Sequence, residues 1–70
     1  MITYDPFWAS LKSKNISQYK LIKEYGFSSG TLDSLRKNRP IRTTTINAIC
    51  KLLDLCVQDV IAYVDKESID

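Results

Sequence analysis

The stretch Ser17-Gln18-Tyr19-Lys20-Leu21-Ile22-Lys23-Glu24-Tyr25-Gly26-Phe27-Ser28-Ser29-Gly30-Thr31-Leu32 decides how the rest of the chain is read. Ser17 is a good N-cap type, because its side-chain oxygen can accept an amide proton that the first helical turn leaves without a partner. Leu21, Ile22 and Tyr25 follow at i, i+1, i+4, while Gln18, Lys20, Lys23 and Glu24 fall on the other side, which predicts a short amphipathic helix. Gly26 comes directly after Tyr25, where a helix commonly ends in the left-handed conformation that glycine adopts without a Cβ penalty. Ser28 or Ser29 then caps a further helix, whose Leu32 and Leu35 point one way and whose Ser29, Gly30, Asp33, Ser34 and Lys37 point elsewhere. Two short helices on a tight glycine turn, each with few core residues, hold the second helix proud of the surface, as a helix-turn-helix does.

Working outward, Asp5-Pro6 reads as an N-cap followed by proline at the first helical position, with Phe7, Trp8 and Leu11 as the apolar face of a helix ending near Lys14. After the central pair, Asn38-Arg39-Pro40 breaks the pattern, because the residue before proline is pushed out of the α region, and a loop runs to about Arg42. Thr43-Thr44-Thr45 offers a cap, and Ile46, Ile49, Cys50 and Leu53 form the clearest amphipathic stripe in the chain. Val57, Val60, Ile61 and Val64 repeat that spacing and predict a fifth helix. Its β-branched residues weaken it, and Cys56 is a poor cap that Asp59 partly compensates. No internal repeat or strand pair is visible. The expected architecture is all-α: a compact five-helix bundle forming one domain over residues 1–70, with its core at about 5–64 and the helix-turn-helix in helices 2 and 3.

Composition limits the function classes. With 44% apolar and 26% charged residues, the chain is an ordinary globular domain. The N-terminus lacks the basic and apolar regions of a secretory signal, and no apolar run is long enough to span a bilayer, so the expectation is a cytoplasmic protein. Cys50 and Cys56 lie among leucines and are expected to be buried free thiols; without a histidine they complete no zinc site. No nucleophile–base pair and no glycine-rich phosphate loop point to catalysis, and no metal, cofactor or small-molecule substrate is implied. The net charge of +2 hides an uneven distribution. Residues 12–51 carry nine bases (Lys12, Lys14, Lys20, Lys23, Arg36, Lys37, Arg39, Arg42 and Lys51) against Glu24 and Asp33, whereas residues 52–70 carry Lys66 against five acids. Such a basic block fits a polyanionic partner.

Taken with this layout, residues 17–32 resemble the lambda-repressor-like, Cro-type (Xre) helix-turn-helix family. Ser17-Gln18 resembles the family's Thr/Ser-Gln opening of helix 2, Gly26 its turn glycine, Ser28 its recognition-helix cap and Thr31-Leu32 its polar–apolar pair. Arg39-Pro40, Thr43-Thr44-Thr45 and Leu52-Leu53-Asp54-Leu55 extend the likeness through the loop, fourth helix and following junction. Ile22 departs from it, standing where the family often has alanine packed at the turn. The resemblance implies a transcriptional regulator, repression being the expected sense, that binds double-stranded DNA with a recognition helix over about Ser28–Lys37 in the major groove. It places Ser29, Gly30 and Ser34 at base-reading positions, Gln18 and Ser28 at phosphates, and Thr31 at a phosphate or a thymine methyl. Lys37, Arg39 and Arg42, beside that helix, are expected to hold phosphates as well. Glycine has no side chain and serine makes only single hydrogen bonds, so the bidentate readings of Arg, Asn or Gln are missing at those three positions, and weight shifts toward phosphate grip and DNA shape.

Proteins of this type commonly bind paired half-sites as homodimers, and here the dimer contacts would come from helix 5 or the terminal segments. Tyr4 and Tyr63 fit either a free surface or such a face. The second reading is a helical protein-interaction module, such as an antitoxin or adaptor, engaging a partner through helix 4, helix 5 and the acidic tail.

Overall fold

Phe7 is fully buried, with the ring of Trp8 packed edge-on at 5.0 Å and that of Phe27 stacked at 6.4 Å. Around it the computed structural model, which describes residues 1–65, arranges β1 (Ile2–Thr3), α1 (Asp5–Ser13), α2 (Gln18–Lys23), α3 (Ser29–Arg36) and α4 (Thr43–Leu53). A single 3-10 turn (Val57–Asp59) and β2 (Ala62–Tyr63) follow. The core joins Tyr4, Phe7, Leu11, Leu21, Phe27, Leu32, Leu35, Ile49, Leu53 and Val60, with Trp8, Ile16, Tyr25 and Cys50 packed against it.

Local sequence explains most helix boundaries. Ser17 Oγ accepts from the Lys20 amide at 3.1 Å and Ser28 Oγ from the Thr31 amide at 3.1 Å, so both central caps stand where their residue types predict. Two expected caps are not used. The N-cap of α1 is Tyr4, with Asp5 and Pro6 inside the first turn, and that of α4 is Arg42, neither with a side-chain bond. At their C-termini α1, α3 and α4 share one device. Asn15, Asn38 and Asp54 sit at φ +59, +53 and +55, and the amides of Ile16, Arg39 and Leu55 reach back to the carbonyls of Leu11, Ser34 and Cys50. This is the Schellman closure, with Asn or Asp in the left-handed position. Asn38 in that position, rather than Pro40 alone, stops α3.

Helix α2 ends earlier than its apolar spacing suggests, at Lys23. Gly26, at φ +75, lets the Phe27 amide turn back to the Leu21 carbonyl at 3.0 Å and sends the Phe27 ring into the core. A Cβ on Gly26 would meet no atom within 4 Å, so Gly26→Ala is opposed by the left-handed backbone alone. That strain is about 1–2 kcal/mol. Thermal unfolding of the variant is expected to show a midpoint lowered by about 4–8 °C for each kcal/mol, with the helical spectrum retained.

The expected fifth helix is not formed. Val57–Asp59 make one 3-10 turn, in which Asp59 Oδ2 accepts from the Cys56 amide at 3.0 Å, and the chain then extends into β2. β2 pairs antiparallel with β1 in the register Ile2↔Tyr63, Thr3↔Ala62, and the Val64 amide donates to the Met1 carbonyl. Val60 is fully buried while Val57 is 53% exposed, so the helical stripe does not have a continuous apolar surface to cover. Stiff β-branched residues favour extended backbone, and Ile2-Thr3 supplies the ladder partner that a single-segment reading misses. The buried-thiol expectation also needs correction: Cys50 is half-buried on α4, but Cys56 is exposed at the junction before the 3-10 turn. Lys66, Glu67 and Asp70 of the acidic tail lie outside the described residues. Among those described, no helix is long and apolar enough to cross a membrane.

Candidate nucleic-acid interface

The outward surface of α3 is set by its two anchors. Leu32 and Leu35 are fully buried, which turns Ser29, Gly30, Asp33, Arg36 and Lys37 away from the core. Ser29 and Gly30 are exposed and Ser34 is half-buried at the edge of this face. A Cβ on Gly30 would meet only Ser28 Oγ, at 3.9 Å, so packing within the domain does not require glycine there. The leading turn of α3 is therefore low and open.

Five of the six expected phosphate-binding side chains, all but Arg42, fall into three groups. At the N-terminus of α3, Ser28 Oγ accepts from the Thr31 amide and its hydroxyl donates to Thr31 Oγ1 at 2.9 Å. Ser28 thereby uses its only hydroxyl proton internally, while the Thr31 hydroxyl keeps its own for an external acceptor. At the start of α2, Gln18 Oε1 accepts from Arg36 Nε at 3.2 Å and Nη2 at 2.8 Å. Because guanidinium only donates, this fork engages the amide oxygen of Gln18, so that any further acceptor must be met by its NH2 group. Arg36 belongs to the basic run beside the recognition helix that the sequence directs toward phosphate, but nothing in the sequence pairs it with Gln18. Its partner is eighteen residues away, a separation that helix periodicity does not reach.

The third group surrounds Asp33. Lys37 Nζ lies 3.3 Å from Oδ1, Arg39 Nη1 3.4 Å from Oδ2 and Arg36 Nη1 3.8 Å from Oδ1. All four side chains are at least a third exposed. Ion pairs in water of this kind are worth about 0–1 kcal/mol each, so they orient the cations without holding them back from a polyanion. The loop that carries Arg39 is in turn fixed by Tyr4, whose amide donates to Asn38 Oδ1 at 3.0 Å and whose hydroxyl donates to the Arg39 carbonyl. Tyr4 is 4% exposed, which settles its place as core and loop anchor. Arg42 is exposed at the N-cap of α4 and makes no ion pair among the described residues. Ile22 is 44% exposed, so the residue that departs from the family pattern is not packed tightly into the turn.

A serine-capped helix held outward by two leucines, preceded by a short helix and a positive-φ glycine, defines a helix-turn-helix protein. The chain belongs to the Cro/C1-type helix-turn-helix DNA-binding domain family, whose sequence profile matches residues 7–66. In three dimensions it is similar to the transcriptional regulator VanUg in its crystal form II, with a TM-score of 0.81 and 26% sequence identity over 93% of this chain and 87% of that one. No curated protein matches the sequence significantly. The family and this likeness support a DNA-binding transcriptional regulator.

Proposed function

We propose that the protein regulates transcription, in the repressing sense, by seating α3 in the major groove of duplex DNA. The supporting observation is the arrangement around α3: a low leading edge at Ser29 and Gly30, flanked by the exposed Gln18 amide, the Thr31 hydroxyl and the cations Lys37 and Arg39. Small side chains let the helix backbone approach the base edges, while the flanking donors fix register on phosphates. In this reading Ser29, Gly30 and Ser34 face bases. Gln18, Thr31, Lys37, Arg39 and Arg42 hold phosphates, and Ser28 acts through the Thr31 hydroxyl that it orients.

Paired half-sites call for a homodimer. Exposed Ile2 and Tyr63, opposite one another on the β1–β2 ladder, support the terminal segments as the contact between copies. The test separates positioning from reading. Arg39→Ala is expected to weaken all duplexes by a similar factor, whereas Ser34→Arg is expected to change which sequence in a site library is preferred. Equal relative affinities for wild type and Ser34→Arg across the library would remove α3 from the groove.

A further inference from the structure

Asp33 is the one carboxylate on the outward face of α3, four residues after Ser29 and three after Gly30, and so on the same helical surface as both. An acid in the middle of a phosphate-binding surface weakens attraction to every duplex unless it is matched by donors. The surrounding geometry prepares it for such a match. Arg36, Lys37 and Arg39 balance its charge from 3.3–3.8 Å, longer than the roughly 2.7–2.9 Å of a tight charge-assisted bond. Its side chain remains 36% exposed. A carboxylate accepts through about four lone-pair sites and donates none, so lone pairs remain for an outside donor. With no side chain at Gly30 and a single hydroxyl at Ser29, Asp33 is the longest acceptor on this part of the face.

Resting on the reading of α3 as the recognition helix, we propose that Asp33 is a specificity-determining residue whose carboxylate accepts from the exocyclic amino group of a cytosine in the major groove. Among the four bases, cytosine alone offers a major-groove donor with no acceptor on the same base. Guanine and thymine present acceptors, and adenine sets N7 beside its amino group. Asp33 thus supplies the base discrimination that Ser29, Gly30 and Ser34 lack, and the three cations that hold it also carry the positive charge toward the backbone.

The experiment selects bound fragments from a randomised duplex library with the full chain and with Asp33→Asn and Asp33→Ala, using circular dichroism to check that both variants keep the helical fold. The wild type is expected to prefer cytosine at one position of each half-site. Asp33→Ala is expected to lose that preference by about five- to hundred-fold, and Asp33→Asn, which keeps an acceptor but adds a donor, to shift it toward adenine, both keeping the preferences at other positions. A uniform gain in affinity for all duplexes in both variants would make Asp33 a simple charge and overturn the inference, leaving the recognition helix intact. Failure of the wild type to bind any duplex would overturn the inference together with the reading beneath it.

Discussion

Phe7→Ala is expected to remove at least about a third of the stability of the fold. Phe7 is fully buried, touches the rings of Trp8 and Phe27, and belongs to the core that also includes Leu21, Leu32, Ile49 and Val60. Replacing a buried phenylalanine by alanine costs about 3–5 kcal/mol, the forfeited transfer energy plus the cavity left behind. A domain of 70 residues has a total stability of about 3.5–10 kcal/mol, so the substitution removes about a third of it at least and all of it at the lower end. Urea titration followed by far-ultraviolet dichroism checks this. The expected result is a midpoint shifted strongly downward, or no folded baseline. A shift equivalent to less than about 1 kcal/mol would mean that the aromatic cluster is not the centre of the fold.

The second large effect concerns charge. Lys37, Arg39 and Arg42 lie at the C-terminal end of α3 and on the loop that follows, with Asp33 and Tyr4 holding the first two and their backbone in place. Replacing all three with alanine is expected to leave the fold intact, since each side chain is exposed and none contributes to the core. Removing one cation from a phosphate flattens the dependence of log affinity on log salt by about one unit. The triple variant is therefore expected to show a slope shallower by about three units and to bind duplex weakly even at low salt. Fluorescence anisotropy over a salt series reads both quantities. An unchanged slope would mean that these cations face solvent rather than phosphate.

How much of this is legible in the sequence depends on the distance over which each feature is encoded. The caps at Ser17 and Ser28, the glycine turn and the leucine anchors of α3 are decided within four residues, and periodicity finds them. The stripe of α4 is equally plain, although its N-terminus falls on Arg42 and not on a threonine hydroxyl. The features that escape such reading are those that need a distant partner. β2 is only two residues long and exists because Ile2-Thr3 lies beside it, some sixty positions earlier. Val57 to Val64 therefore look helical in isolation, and tertiary pairing overrides the spacing. Tyr4 fits surface and interface equally well in the sequence because its partners, Asn38 and Arg39, become neighbours only after α1 to α3 have closed. Within the candidate site, the residues at the N-terminus of α3 are readable from the motif. Asp33 meets Arg36 and Lys37 at i+3 and i+4 and so within the same reach, but the Arg36–Gln18 fork and the approach of Arg39 to Asp33 are not readable, since one joins two helices and the other depends on how the chain turns at Asn38.

The fold also explains why so small a domain can present a defined surface. Gln18 opens α2, Arg36 closes α3, and their forked hydrogen bonds tie the two helices across the outer side of the motif, while Leu21, Leu32 and Leu35 tie them within. The charged surface is therefore oriented by the same two helices that the core fixes.

Equilibrium binding of the full chain to duplex DNA, followed between about 50 and 200 mM salt, tests DNA recognition by α3 most directly. Binding at low salt is expected to fall steeply with added salt, as counterions condensed on the duplex are released by the cations around α3. No duplex binding at low salt, or binding indifferent to salt, would contradict this and favour the reading as a protein-interaction module.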